Sequence, residues 1–292
     1  MYLPPKYYFA IICLLTSAVA TANTTSSTVT KEKISAIENA IIVKVTQAYG
    51  GEALTSLKSI TITEHNKSIS SGQGESPKQP GFFRINEALT IDFEGKRKSL
   101  LSSRVSRTSE DLEKFIFDGN KGRIYDILNH KYSNEDWLTF NSTGGGITRR
   151  SDTIIARSLN DANTKVSYQG EISYRGTVHQ KLNTKIGSGA EYTLFIEKEL
   201  GLITKMIRHH PSAGEISYAF SNHIKTDGLT FAKDLNFTVG GQTRLVSLLR
   251  DIKVNPSLKA PFTEPLVYTN WGELIDSSEL IVNKISPNVY HA

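Results

Sequence analysis

The stretch YAFSNHIKTDGLTFAKDLNF, Tyr218–Phe237, decides the fold class. Ile216, Tyr218 and Phe220 alternate with polar residues, KTDG supplies turn chemistry, and Phe231 to Val239 returns with the same alternation. A period of two puts one set of side chains on each face of a strand, and Asp-Gly favours a tight turn between antiparallel neighbours. The segment therefore predicts a β-hairpin with one apolar face.

The pattern recurs on both sides of it. Ile60, Ile62 and then Phe82 to Phe93 begin a series, and Phe115–Phe117 and Arg123–Leu128 flank DGNKG, Asp118–Gly122, another hairpin turn. Leu194 and Ile196 lead through EKELG into Leu202, Thr204 and Met206. After Val239, GGQ turns the chain into Val246, Leu248, Ile252 and Val254. This is an antiparallel meander of about ten strands. Ser70–Pro80 reads as a mobile polar loop, and Ser151–Leu159 as a short capped helix with Ile154, Ile155 and Leu159 facing inward.

Ahead of the strands the period changes to that of a helix. Ile34, Ile37, Ile41, Val45, Ala48 and Tyr49 share one helical face, with Thr30 as cap and Val29 placed to staple onto Ile34. Gly50 and Gly51 close the helix, and Glu52–Leu57 forms one further short turn. The fold class is mainly β, α+β: a curved antiparallel half-barrel with this amphipathic helix as plug or lid. Where the plug is incomplete an apolar cavity remains, and barrel interiors are common ligand sites. Its expected lining is Tyr218, Phe220, Phe231, Phe237 and Leu248, under the lid residues Ile34, Ile37, Ile41 and Val45. A filled core would use the same side chains.

The first residues, MYLPPKYYFAIICLLTSAVATA, combine Lys6, an apolar run from Tyr7 to Leu15, and small residues at Ala18, Ala20 and Ala22. That is the pattern of a secretory signal peptide cleaved after Ala22, since a spanning helix needs roughly 20 apolar residues. Cys13 lies inside the apolar run with Ile12 directly before it, which argues against lipid attachment there. Cleaving 22 of 292 residues leaves 270 without cysteine, so the exported form is held by a core rather than by disulfides. Residues 23–30 form a polar Ser/Thr tether, 23–265 the half-barrel domain, and 266–292 a separate tail after the proline-rich NPSLKAPFTEP, Asn255–Pro265. The net charge of +5 comes from scattered lysines and arginines, which excludes a nucleic-acid stripe.

Catalytic patterns are lacking. His209 and His210 are adjacent and point to opposite faces of a strand, while His65, His130, His179 and His223 each stand without a second ligand at usable spacing. His291 is next to last. There is no G-x-S-x-G elbow, and Gly187-Ser188-Gly189 is a turn. TGGGITRRS, Thr143–Ser151, offers glycines and two arginines before a short helix, an arrangement able to hold an anion, but no phosphate signature follows and a plain loop is the simpler reading. Glu197, Glu199 and Asp227 belong to turns. No metal or cofactor is expected.

AYGGEALTSLKSI resembles the opening of the LolA/LolB-like, outer-membrane lipoprotein-sorting fold. FDGNKGRIYDI, YTLFIEKELGLITKMI, YAFSNHIKTDGLTFAKDLNF and IKVNPSLKAPFTEP are similar to its hairpin, paired strands, Asp-Gly hairpin and closing segment, together spanning Ala48–Pro265. The resemblance implies a half-barrel with a helical lid over a cavity that takes lipid or acyl chains, in the periplasm. The tail LIVNKISPNVYHA is similar to the first strand of metallo-β-lactamase-fold hydrolases, some of which carry such a half-barrel in front; their His-x-His-x-Asp-His metal motif does not occur here. Three functions stay open: an exported non-catalytic module for a lipid-like or other hydrophobic small molecule, the N-terminal part of a hydrolase whose metal domain lies on another segment or chain, and a scaffold for an envelope protein. In the plainer account the tail is a free strand pairing with the half-barrel edge.

Overall fold

The computed structural model describes residues 35–70, 79–186, 189, 191–271, 283–286 and 289–291. The expected signal peptide, the cap Thr30, the staple Val29–Ile34 and most of the loop 70–80 lie outside the described residues.

Helix α1 occupies 35–48, and its apolar stripe falls where a period near 3.6 puts it: Ile37 is partly buried, Ile41 and Val45 are buried, and Tyr49 follows at the helix end. Gly50 and Gly51 take φ of 127° and 58°, conformations that stop the helix, before the single turn α2, Glu52–Thr55. The strands come next: β1 Ser59–Ser70, β2 Gly81–Asp92, β3 Arg97–Val105, β4 Glu110–Phe117, β5 Gly122–Asp126 and β6 Lys131–Asn134. Two short helices follow, α3 Gly145–Arg150 and α4 Asp152–Ser158, the second capped by Ser151 with Ile154, Ile155 and Leu159 buried, as expected. A second run comprises β7 Lys165–Tyr174, β8 Thr177–Lys185, β9 Glu191–Glu197, β10 Ile203–His210, β11 Gly214–Thr226, β12 Leu229–Val239 and β13 Gln242–Val254. The turn α5, Lys259–Phe262, and β14, Thr269–Asn270, complete this body.

All fourteen strands belong to one open, curved sheet in the order β14-β6-β5-β4-β3-β2-β1-β13-β12-β11-β10-β9-β8-β7. Two antiparallel meanders thus form two wings, joined where β1 pairs with β13, and α3 and α4 carry the chain from the end of one wing to the end of the other. The hairpin from Tyr218 to Phe237 forms as its sequence dictates: Thr226 lies opposite Leu229, and Asp227 and Gly228 turn with φ of 49° and 83°.

The inner face is buried. Ile60 and Ile62 of β1 stand level with Ile91 and Leu89 of β2 and with Val254 and Ile252 of β13. Helix α1 covers the β7–β13 wing: Glu38 Oε1 accepts from the Tyr168 amide at 2.8 Å, Lys44 donates to the Lys198 carbonyl, and Thr230 Oγ1 donates to the Ala48 carbonyl at 2.7 Å. On the outer face the segment after β13 crosses the other wing. Ser99 Oγ donates to Pro261 O at 2.7 Å, Lys114 Nζ to Thr263 O at 2.7 Å, Arg123 pairs with Glu264, and β14 joins β6 in parallel. The tail segments β15, Asn283–Ser286, and β16, Val289–His291, pair antiparallel with each other in a sheet of their own.

Candidate binding site beneath the N-terminal helix

The β11–β12 hairpin brings four of the five expected lining residues together. Tyr218 lies opposite Phe237 with their rings stacked at 4.9 Å, and Phe220 lies opposite Leu235. Tyr218, Phe220 and Phe231 are buried, Phe237 packs on them from the side, and all join the same core as Ile41 and Val45 of α1. Ile37 packs at its edge, and Ile34 lies outside the described residues. Leu248 stands apart. Strand β13 has a bulge there: Ser247 faces Asn66, Leu249 faces His65, and Leu248 between them has no partner, so it is 64% exposed. It borders a shallow concavity of about 540 Å³ with Phe82, Arg84 and Val105, whose register puts them on the outer face.

A second concavity, of about 850 Å³, lies between the crossing segment at Glu264–Tyr268 and the outer side of β5 and β6. In it Tyr125 stacks on Tyr132 at 5.9 Å and meets Tyr268 edge-on at 5.8 Å; burial first, and then the Glu264 carboxylate, push its phenol up to about 12. Beneath α1 the side chains fill the interior, with Val45, Tyr49, Leu229 and Leu194 wholly buried. Of the expected lining residues, neither of the two concavities includes any but Leu248.

Two polar knots cross this apolar interior. In the first, Glu64 is wholly buried and bridges two arginines, Arg150 Nη2 to Oε2 at 3.0 Å and Arg250 Nε to Oε1 at 3.1 Å. Arg150 also pairs with Glu87, and Arg250 donates to the carbonyls of Ala232 at 2.7 Å and Arg150 at 2.9 Å. Burial alone would raise the Glu64 carboxyl, but the two guanidiniums and the Asn66 amide overturn that and hold it below the usual range. Glu87 goes the other way: burial raises it, and the Glu64 charge adds to the rise against the pull of Arg150. Arg150 of the TGGGITRRS loop is thus neutralised from within.

In the second knot, Asp152 Oδ2 accepts from the Tyr49 hydroxyl at 3.0 Å and from the Ala232 amide at 3.0 Å, and faces His223 Nε2 at 3.3 Å. The Tyr49 oxygen also accepts from the Ile203 amide at 3.2 Å. Burial raises the Tyr49 phenol well above its ordinary value, and the neighbouring Asp152 charge adds to this. The last residue of the lid stripe is therefore tied at once to α4, β10 and β11.

Neither knot was anticipated from the sequence. A signal existed for Glu64 and Arg250, which occupy core-facing positions in ITITEHN and LLRDIKV, in step with Ile62 and Ile252. Of the other described histidines, His65 bonds Asn86 at 2.8 Å, His130 packs on Tyr268, His179 packs on Tyr174 with its Nε2 buried and unpartnered, and His209 and His210 are exposed at the end of β10. Among the described residues no group of three His, Cys, Asp or Glu side chains is placed to hold a metal ion, and no helix is long and apolar enough to cross a membrane.

No family model matches this chain, and no curated protein does. Solved structures do. An outer membrane lipoprotein-sorting protein domain from Vibrio parahaemolyticus aligns at 9% identity over 74% of this chain and 93% of its own, with a TM-score of 0.46. A LolA superfamily protein from Nitrosomonas europaea aligns at 10% identity over 77% and 97%, TM-score 0.49, and a DUF1329 family protein from Desulfovibrio piger at 13% over 80% and 98%, TM-score 0.43. At such identities and TM-scores the likenesses carry no argument about this chain, whose architecture rests on its own strand pairing: one open curved sheet of fourteen strands with α1, α3 and α4 on its inner side.

Proposed function

We propose that this chain is an exported, non-catalytic module that holds a lipid-like or other hydrophobic small molecule between α1 and the inner face of the β7–β13 wing. The observation that carries this reading is the way the lid is attached. Toward its C-terminus α1 is fixed by directional bonds, through Tyr49 to Asp152 and the Ile203 amide and through the Ala48 carbonyl to Thr230. Further up, Glu38 and Lys44 bond the Tyr168 amide and the Lys198 carbonyl at its flanks, and its inner side adheres by Ile37, Ile41 and Val45. Apolar contact is non-directional, and an acyl chain satisfies it as well as isoleucine does. A ligand can therefore take the place of the lid's stripe against Tyr218, Phe220, Phe231 and Phe237, with the bonded end at Ala48–Tyr49 staying in place. Export is supported by the signal-peptide pattern of the first 22 residues.

The test is to purify the protein from cells that export it, extract it with organic solvent, and titrate the stripped form with a fluorescent fatty acid. A co-extracted hydrophobic compound and saturable binding are expected. Neither being found would overturn the reading.

A further inference from the structure

Where β1 ends and β2 begins, the outer face of the sheet carries large apolar side chains with two cations among them. Val105, Arg84, Lys67 and Val246 form one row across four strands, each paired with the next. Phe82 stands two residues from Arg84 on the same face and is 51% exposed; Leu249, opposite His65, is 49% exposed, and the bulged Leu248 beside it is more exposed still. The concavity of about 540 Å³ opens in the middle of this group, and its lining includes Lys67 and Arg84 but no acid. The Lys67 ammonium lies over the Phe82 ring, 4.3 Å from its centroid.

Acids on that face stand at the borders of the patch: Glu110 lies opposite Val105, and Asp251 is the next outward residue of β13 after Leu249. Burial in the core does not account for Phe82, Leu248 and Leu249, because each is at least half in solvent or close to it. A contiguous exposed apolar patch marks a surface that meets a protein or a membrane. Lysine is depleted from the centre of protein interfaces, whereas Lys67 sits amid the apolar side chains here. The arrangement suits a bilayer surface instead: rings and aliphatic stems enter the head-group boundary while the ammonium and guanidinium reach lipid phosphates.

We propose that this patch seats the protein on an anionic lipid bilayer, with Phe82, Leu248 and Leu249 at the acyl boundary and Lys67 and Arg84 against the phosphates. The proposal stands apart from the hydrophobic-ligand reading, because the patch lies on the outer face and α1 covers the inner one.

Vesicle co-sedimentation tests this on the protein purified from cells that export it, with phosphatidylcholine alone and with phosphatidylcholine and phosphatidylglycerol in equal parts. Binding to the mixed vesicles is expected to exceed binding to the neutral ones and to weaken with salt. Lys67→Gln/Arg84→Gln should weaken it roughly thirtyfold, about fivefold for each cation, and Phe82→Ser/Leu248→Ser should weaken it at high salt as well as at low. All four side chains are exposed, so these variants keep the core. Lys253→Gln, which removes an exposed outer-face cation outside the patch, should leave binding nearly unchanged. Fatty-acid titration of the same proteins keeps the two readings apart: patch variants that leave the vesicles but still bind the fatty acid support the docking surface, and vesicle binding by a wild-type protein that takes up no fatty acid would sink the ligand reading alone. No binding to the mixed vesicles, or equal binding by wild type and Lys67→Gln/Arg84→Gln, would overturn the proposal. So would a dimer in vesicle-free solution that Phe82→Ser/Leu248→Ser abolishes, since the patch would then face a second copy.

Discussion

Replacing Glu64 by glutamine keeps the shape of the inner knot and removes its only fully buried charge. Glu64 is 0% exposed and accepts from Arg150 at 3.0 and 3.2 Å, from Arg250 at 3.1 Å and from Asn66 at 3.1 Å. After the change Arg250, 2% exposed, has only carbonyl partners, and Arg150 is left with Glu87 alone. Breaking a buried pair by removing one partner costs about 3–5 kcal/mol. In a domain of this size about 1 kcal/mol moves Tm by roughly 2–4 °C, so Glu64→Gln should lower it by about 6–20 °C. Differential scanning calorimetry or urea unfolding reads this directly. The pH dependence adds a signature. Because the folded carboxyl titrates below its unfolded value, its contribution is fully present above the unfolded pKa of about 4.3 and is lost as pH falls through the lower folded value. Glu64→Gln should therefore flatten the acid limb, and replacing Glu64, Glu87, Arg150 and Arg250 together by apolar residues of similar volume should recover much of the loss. A Tm for Glu64→Gln within about 2 °C of wild type at pH 7 would refute the idea that this knot holds the two wings together.

Other outcomes follow from single groups. Tyr49→Phe removes the donor to Asp152 Oδ2 and the acceptor of the buried Ile203 amide, a loss of about 1–3 kcal/mol that hydrogen exchange should register first in residues 45–50 and in the start of β10. Unchanged protection there would show the tie to be unimportant. Lys98 is buried over the Phe140 ring at 4.6 Å, and burial lowers its ammonium to about 8. Its folded value lies below the unfolded one of about 10.4, so the unfolded chain binds more protons between them and stability should rise with pH across that window. Lys98→Met should stabilise the protein at pH 7 and abolish that rise, as denaturation at pH 7 and pH 10 would measure; an unaltered pH slope would count against it.

The sequence made the second wing legible wherever alternation was clean. Ile216, Tyr218 and Phe220 face inward and Asp227–Gly228 turns, as their residue types require. The sheet has fourteen strands rather than about ten because β3, β7 and β8, RKSLLSSRV, KVSYQGEISY and TVHQKLNTK, carry polar side chains on both faces and hide their period, and because β6 and β14 are too short to show one. In β7 polar residues on both faces are tolerated because it is an edge of the sheet, exposed along most of its length. Leu248 keeps the chemistry of a core residue, but the bulge shifts the parity of β13 between Leu245 and Arg250, and a bulge leaves no mark in hydrophobic alternation. The knots were hidden for a different reason. Glu64 and Arg250 are 186 residues apart, and what unites them is the pairing of the first strand with the thirteenth.

That same pairing separates what holds the sheet from what holds the lid, and the separation can be measured. Ile41 is 3% exposed and sits two turns above the Tyr49 tie, so Ile41→Ala removes apolar contact from α1 without touching either knot. A buried isoleucine truncated to alanine costs about 2–5 kcal/mol. If α1 opens about its tied end at Ala48–Tyr49 while the sheet stays closed, that cost falls on the opening equilibrium, and the amides of 37–45 should exchange about thirtyfold faster or more. The strands β1 and β13, locked by Glu64 and Arg250, should keep their protection, and uptake of a fluorescent fatty acid should speed up. Should helix and sheet instead lose protection together and by the same factor, α1 is an integral part of the core and cannot serve as a lid: an acyl chain would then have no way in that leaves the half-barrel intact.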